Sequence, residues 1–472
     1  KKPYQISLSK KTDLLETGNS DNVAKKWLLL ANADDATLIH NSIAYDLALE
    51  LGMCGTESAP VDLYYDGAYR GNYLLCEKIE VGSGRVDIHD LEGDIEDANG
   101  DDDVSTHATA QATNAYGYTF QFVSDVANPV DITGGYLLEL DSAYHSLELC
   151  WFDTSVGYFV VKSPEACSVE CVRYISEATQ AAIDNLDAGV TSSDGYLFDL
   201  DSLSWTYLIS EYCKNVDAFC SSTYFYLERG SSTFYAEPIW DFDGSCGIRT
   251  DFKVAGSYSY AGLLSASDGW VIDIPTVREN VISHCAEFSS LVENVLLGDA
   301  SAVGAKGFLH SFQYYYDQVA TSQKMNQVLF GITGFNNVLT PFSTYAANVE
   351  YLRSWLTDRI AWWGWEASRL SAGIVENAPV AYEDVDYSEV YDYSYYLEMN
   401  PDVAAAFGDD EEAALRHFVT YGMPEGRVAS RNFSVSTYRA RYADLRAAFG
   451  DDLAAYYRHF ITYGFFEGRT AV

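Results

Sequence analysis

The segment from Asn215 to Gly247, NVDAFCSSTYFYLERGSSTFYAEPIWDFDGSCG, spaces its oxygen-bearing side chains in a way that suits phosphoryl transfer. Asp217 stands ahead of an aromatic strand, Ser222 follows five residues later, and Asp241 and Asp243 lie beyond a turn at Arg229 and Gly230. Such chemistry needs one carboxylate beside the attacking hydroxyl and separate oxygen ligands for the divalent ions that neutralise the phosphate oxygens. Asp217 is the candidate for the first task. Asp241 is the candidate metal ligand, with Ser222 and Asp243 beside it. Aspartates bracketing strands also serve as turn and cap residues, so the pattern gains meaning only from the elements that position it.

Those elements are legible upstream. Residues 3–9 and 25–31 read as strands, and Leu38 to Leu51 as a helix that stops at Gly52. Val61 to Tyr65, a turn at Asp66-Gly67 and Tyr73 to Ile79 read as a hairpin. From Leu91 to about Thr133 the periodicity dissolves into Asp, Asn, Gly, Ala and Thr, which predicts a solvated acidic insertion. Asp97, Asn99, Asp101 and Asp103 have the oxygen spacing that opens a calcium loop, but Gly at the sixth position and Glu at the twelfth are missing. Strands are predicted at 134–141 and 158–162 and a helix at 169–186, and Ser202 to Lys214 is the helix expected to deliver Asp217. Further helices are expected around 272–297 and 344–371, where Trp355, Trp362, Trp363 and Trp365 read as helix packing.

The bulk composition narrows the partners. With 472 residues the chain has room for two or three domains. Its 69 acidic against 29 basic residues, a formal charge of −40, exclude a nucleic-acid surface, which needs clustered Lys and Arg. An anionic nucleotide would be repelled as well, so a nucleotide site here implies Mg2+ or Mn2+. No apolar run is long enough to predict membrane insertion. The nine cysteines are scattered without C-x-x-C pairs, which predicts buried thiols rather than a zinc site or disulfide framework. Cys213, Cys220 and Cys246 flank the candidate segment with no histidine near them in sequence, so a thiol nucleophile is disfavoured.

After an irregular acidic stretch at 372–388, read as a linker, the chain repeats itself at an offset of 42. Phe407-Gly408-Asp409-Asp410 recurs from Phe449, Arg416-His417-Phe418 from Arg458, and Glu425-Gly426-Arg427 from Glu467. Residues 389–472 therefore read as two helical units that stack because one alone buries too little apolar surface. His417 and His459 fit core or capping positions better than metal ligation.

Laid out in order, several blocks resemble the spore-coat CotH family of atypical protein kinases. They are Lys1-Lys2-Pro3-Tyr4, Lys26 to Asp35, the hairpin from Tyr64 to Glu77, Gly134 to Asp141, Asn215-Val216-Asp217 and Trp240 to Asp243, and the resemblance spans roughly residues 1–370. It implies an α+β, bilobal protein-kinase-like fold over residues 1–371. The N-lobe would occupy about 1–90, the insertion about 91–133 and a mostly helical C-lobe about 134–371, with a small all-α repeat domain after the linker. It implies ATP as cofactor, a protein substrate phosphorylated on Ser or Thr, Asp217 as catalytic-loop aspartate and Asp241 as metal-binding aspartate. Ser222 would replace the usual Asn ligand. For the nucleotide the resemblance points to Lys2, then Lys26, with Glu77 as partner of the lysine or hinge residue. The repeats resemble modules of secreted or cell-surface bacterial proteins and would offer a surface partner a binding site. The alternative is a kinase-like surface binding or adhesion protein of weak or no activity.

Overall fold

A computed structural model describes residues 2–17, 23–141, 143–248, 270–296, 312–331, 342–383 except 372–379, 385–430 except 409, 433–465, 469 and 471. Within these residues the chain forms two compact units, each considered by itself. One gathers the described residues of Lys1–Asn32, Leu38–Asp243 and Gly269–Gly331, the other those of Ala33–Thr37, Gly244–Asp268 and Ile332–Val472.

The first unit is built on two sheets of mixed α/β character. The smaller has the order β1-β2-β4-β3, with β1 (Tyr4–Thr12), β2 (Ala24–Leu30), β3 (Ser58–Tyr65) and β4 (Ala68–Glu77) all antiparallel. The β3–β4 hairpin turns at Asp66 and Gly67, both at positive φ, as the Asp-Gly pair requires. Helix α1 (His40–Glu50) lies between β2 and β3 in sequence and is buried along nearly its whole length.

The larger sheet has eight strands in the order β10-β12-β11-β7-β9-β8-β6-β5. Its members are β5 (Thr109–Thr113), β6 (Thr119–Val123), β7 (Tyr136–Leu140), β8 (Trp151–Thr154), β9 (Gly157–Ser163), β10 (Leu197–Phe198), β11 (Thr223–Leu227) and β12 (Thr233–Tyr235). β7 is wholly buried, which suits its unbroken Tyr-Leu-Leu-Glu-Leu run. The paired glycines before it are steric: a Cβ on Gly134 would sit 2.4 Å from the Arg229 Cα in the β11–β12 turn.

One expectation meets a correction here. The stretch 91–133, expected as irregular, carries helix α2 (Leu91–Asn99), capped by the Asp90 carboxylate, and the β5–β6 hairpin. α2 buries only Leu91 and Ile95, and β5 is an edge strand of Thr, Ala and Gln, so neither carries a strong apolar signal. Residues 134–235 hold six strands besides α3 (Val169–Asp187) and α4 (Leu200–Cys213), the strands expected at 134–141 and 158–162 among them as β7 and β9. A long helix follows at Pro275–Leu296, near the expected 272–297.

In the second unit a helix spans Tyr345–Ser371, with Trp355, Trp362 and Trp363 buried and Arg359 lying 4.4 Å from the Trp362 ring centroid. The Trp365 side chain and residues 372–379 of the expected linker lie outside the described set. Beyond them, the same contacts recur 42 residues apart. Tyr396 meets His417 Nδ1 at 2.9 Å and Tyr438 meets His459 Nδ1 at 3.0 Å. Arg427 pairs with Asp402 and Arg469 with Asp444, each at 2.8 Å. The Ala429 carbonyl accepts the Asp392 amide just as the Ala471 carbonyl accepts that of Ser434. The histidines are thus packed, hydrogen-bonded residues.

Candidate active site

Helix α4 starts at an Asp199 cap and ends where Lys214 turns into the left-handed region, at φ 48°. The segment that leaves it, Asn215 to Ser222, is tied within itself. The Asp217 carbonyl accepts the Ser221 amide at 2.8 Å, and Thr223 Oγ1 accepts the Phe219 amide at 2.9 Å. Thr223 then opens β11, which pairs with β7 on one side and β12 on the other. Crossing the hairpin returns the chain to Asp241.

One side chain joins the two ends of this path. Asn215 Oδ1 accepts the Asp217 amide at 3.2 Å, and Asn215 Nδ2 donates to the Asp241 carbonyl at 3.2 Å. A second link runs from the Ser222 hydroxyl to Asp241 Oδ2 at 3.4 Å. Asp217 and Ser222 on one side and Asp241 on the other therefore belong to two loops held against each other.

The loop at Asp241 is fixed from α1 as well. The Phe242 amide donates to Asn41 Oδ1 at 2.7 Å, Asn41 Nδ2 to Asn32 Oδ1 at 3.1 Å, and Asn32 Nδ2 to the Leu38 carbonyl at 3.0 Å. Trp240 stacks on Tyr45 of α1 with ring centroids 5.7 Å apart. Burial, then the acidic neighbours Cys76, Asp241 and Asp243, push the Tyr45 phenol well above its ordinary value. Both aspartates thus lie within electrostatic reach of one phenol. The part-exposed Asp217, Ser222, Asp241 and Asp243 contrast with buried Phe242.

Beside this centre lies a mixed-charge group. Glu139 on β7 stands opposite Tyr224 on β11, and Lys162 Nζ lies 3.2 Å from Glu139 and 3.3 Å from Glu148. Burial works to lower the Lys162 ammonium, but the two glutamates outweigh it and hold it above the usual lysine range. Burial drives the Tyr224 phenol up, with Glu139 and Asp241 adding to the effect.

The nucleotide-side candidates do not converge in the same way. Lys2 and Lys26 are exposed, whereas Glu77 is buried and accepts the Glu57 amide at 2.9 Å. Trp27 is the cross-strand partner of Glu77, so Lys26, one residue earlier, points to the opposite face and does not pair with Glu77. Arg85 instead occupies that end of the sheet, donating to the Lys26 carbonyl at 2.8 Å with its guanidinium 5.1 Å from the Trp27 ring centroid.

Among the described residues, no group of three or more His, Cys, Asp or Glu converges as a metal cage. Asp241 and the Ser222 hydroxyl do match the hard-oxygen preference of Mg2+, which commonly takes one or two carboxylates and completes its shell with phosphate and water. Sequence reading missed Asn215, Asn41 and Asp141 as site residues. Asn215 bridges two backbone groups and Asn41 joins a backbone amide to the Asn32 side chain, roles that leave no spacing rule. Asp141 accepts the Ser221 hydroxyl at 3.0 Å, and its position at the end of a buried strand was the available signal.

Comparison with known proteins agrees with this order of elements. The family model described as CotH kinase protein matches residues 1–284. No curated protein matches the chain. The match covers well over half of the chain and takes in both loops joined by Asn215, so this protein belongs to the CotH kinase family.

Proposed function

We propose that the protein is a metal-dependent phosphotransferase that moves the γ-phosphate of ATP to a Ser or Thr hydroxyl of a protein substrate. The observation that carries the reading is Asn215, whose single side chain holds the Asp217 loop to the Asp241 loop within a chain of the CotH kinase family. In this reading β1–β4 with α1 form the nucleotide lobe and the large sheet with its helices the second lobe. Residues 91–133 are an insertion, 372–388 a linker and 389–472 a repeat domain that offers a surface partner its site. The setting would be a bacterial secreted or cell-surface one.

Asp217 receives the acceptor hydroxyl, orients it and takes its proton as the new P–O bond forms. Asp241, with Ser222 and Asp243, would hold Mg2+ or Mn2+. When bound, the metal neutralises phosphate oxygens and aligns the γ-phosphate. Asn41 and Asn215 keep the two loops in register, so the carboxylates need no rearrangement during transfer. Lys2 is the first candidate to meet the nucleotide phosphates and Lys26 the second, with Glu77 marking the end of the nucleotide lobe.

The test is phosphate incorporation from radiolabelled ATP with Mg2+ or Mn2+. Asp217→Asn and Asp241→Asn should each lower it by at least about a hundredfold with unchanged melting. Asp241→Asn should also remove the metal-dependent thermal shift given by ATP, and Asp217→Asn should keep it. A wild-type protein that shows no shift with any nucleotide and metal, yet binds a surface partner, would support the kinase-like adhesion reading instead.

A further inference from the structure

We infer that the loop after β7, residues 143–149, is the docking ledge for the polypeptide that carries the acceptor hydroxyl, and that Tyr144 and Leu147 select an apolar side chain next to the phosphorylated residue. This rests on the phosphotransfer reading above. Three observations lead to it.

First, the loop is joined to the candidate catalytic segment. Asp141 Oδ1 accepts the Ser221 hydroxyl at 3.0 Å and the amides of Ala143 and Tyr144 at 3.1 Å each. Ser221 in turn donates its amide to the Asp217 carbonyl at 2.8 Å. A single carboxylate therefore binds both the start of the ledge and the loop of Asp217.

Second, the ledge is pinned along its length. The His145 ring stacks on Tyr158 with centroids 3.7 Å apart and meets Trp151 edge-on at 5.0 Å. Gln121 Nε2 donates to the carbonyls of Glu148 and Leu149 at 3.1 Å each, and Lys162 lies 3.3 Å from the Glu148 carboxylate.

Third, this fixed loop holds two large apolar groups out in water: Tyr144 is 66% and Leu147 80% exposed. A pinned loop gains nothing for folding by such exposure, and a ligand that covers these groups loses little conformational entropy in the loop on binding. Because Asp141 joins this loop to the Asp217 segment, a polypeptide bringing its hydroxyl to Asp217 would run near these groups, and an apolar side chain flanking its acceptor residue is the chemistry that would cover them. Glu148, Asp141 and Asp217 leave no cation on the ledge to attract an acidic flank, since Lys162 is already matched by two glutamates.

The experiment offers the full chain a serine-centred peptide library randomised at the flanking positions, with labelled ATP and metal. The wild type should favour Leu, Ile, Val, Met or Phe at one or more fixed positions. Tyr144→Ser with Leu147→Ser should flatten that preference and raise the KM for the best peptide roughly tenfold, with kcat, the KM for ATP and the melting temperature held. An unselective wild type, or a variant that keeps the preference, overturns the ledge while leaving the phosphotransfer reading intact. No incorporation by the wild type into any peptide or into itself removes the phosphotransfer reading and the ledge with it.

Discussion

Replacing Asn41 with alanine tests whether α1 holds the Asp241 loop in place. Its side chain serves two buried groups at once, accepting from the Phe242 amide at 2.7 Å and donating to Asn32 Oδ1 at 3.1 Å. Phe242 is 1%, Asn41 2% and Asn32 5% exposed, so water is not at hand to replace either bond. Each buried polar group that loses its partner costs about 1–3 kcal/mol, and two together about 2–6 kcal/mol. For a unit of this size that is a fall in melting temperature on the order of 5–15 °C. Asn41→Asp sharpens the test. Its carboxyl still accepts the Phe242 amide but sets an oxygen against Asn32 Oδ1, while Asn32 Nδ2 stays committed to the Leu38 carbonyl. Protonation restores a donor, so the folded-state pKa of that carboxyl is raised, and the variant should regain stability as pH falls through it. The assay is thermal unfolding of both variants from pH 7 to pH 5, with and without ATP and Mg2+. Asn41→Ala melting within about 1 °C of wild type, or an Asn41→Asp variant with no recovery in acid, would refute the argument.

Three further outcomes are expected. Cys220 is exposed, Cys54 half-buried and the other seven cysteines buried, and Cys220 Sγ lies 3.3 Å from the Asp217 carbonyl; iodoacetamide followed by peptide mapping should label Cys220 first and block phosphate incorporation, and Cys220→Ser should resist this inactivation. Burial raises the carboxyls of Glu92, Glu139 and Glu237, so the folded chain holds these protons more tightly than the unfolded one. Their contribution is full below the ordinary glutamate pKa and is lost as pH rises through the raised values, and melting should climb when the buffer moves from pH 7 toward pH 5. It should turn down again in stronger acid, where Asp201, held below its ordinary value by Asn280 and His284, takes up its proton. In the last repeat, a Cβ on Gly464 would meet Tyr438 Oη at 2.0 Å, against 2.6 Å for Gly422 and Tyr396. Gly464→Ala should therefore lower the melting of its unit more than Gly422→Ala, and adding Tyr438→Phe should recover part of the loss.

The sequence revealed elements wherever burial imposed a period or a turn demanded particular residues. The Asp-Gly hairpin, α3 and the helix leading to Asp217 all lie within a few residues of their expected ranges. It did not reveal β5, whose Thr-Ala-Gln-Ala-Thr run has no apolar face of its own and becomes a strand by pairing with β6. Asp217 and Asp241 stood out as candidates because their spacing around a hairpin can be read along the chain, and the structure brings their loops together through Asn215. Asn215 and Asn41 did not, since an amide that ties one segment to another depends on a juxtaposition that chain order does not encode. That Lys26 faces away from Glu77 was not legible for a related reason: a one-residue offset is trivial along a chain but reverses the face in a strand.

Several residues around the candidate site that are not glycine have positive φ, among them Lys214 at 48°, Phe219 at 58°, Ser222 at 51° and Asp241 at 65°. At each, glycine would suit the backbone better. Any selection for stability alone should therefore drift toward glycine at Ser222 and Asp241 and, in doing so, strip the loops of the oxygens on which the proposed transfer depends. A library screened only for heat resistance would be enriched in inactive chains, and one screened for activity would keep the strain. These backbone angles thus mark where durability and the proposed catalysis pull the same residue in opposite directions.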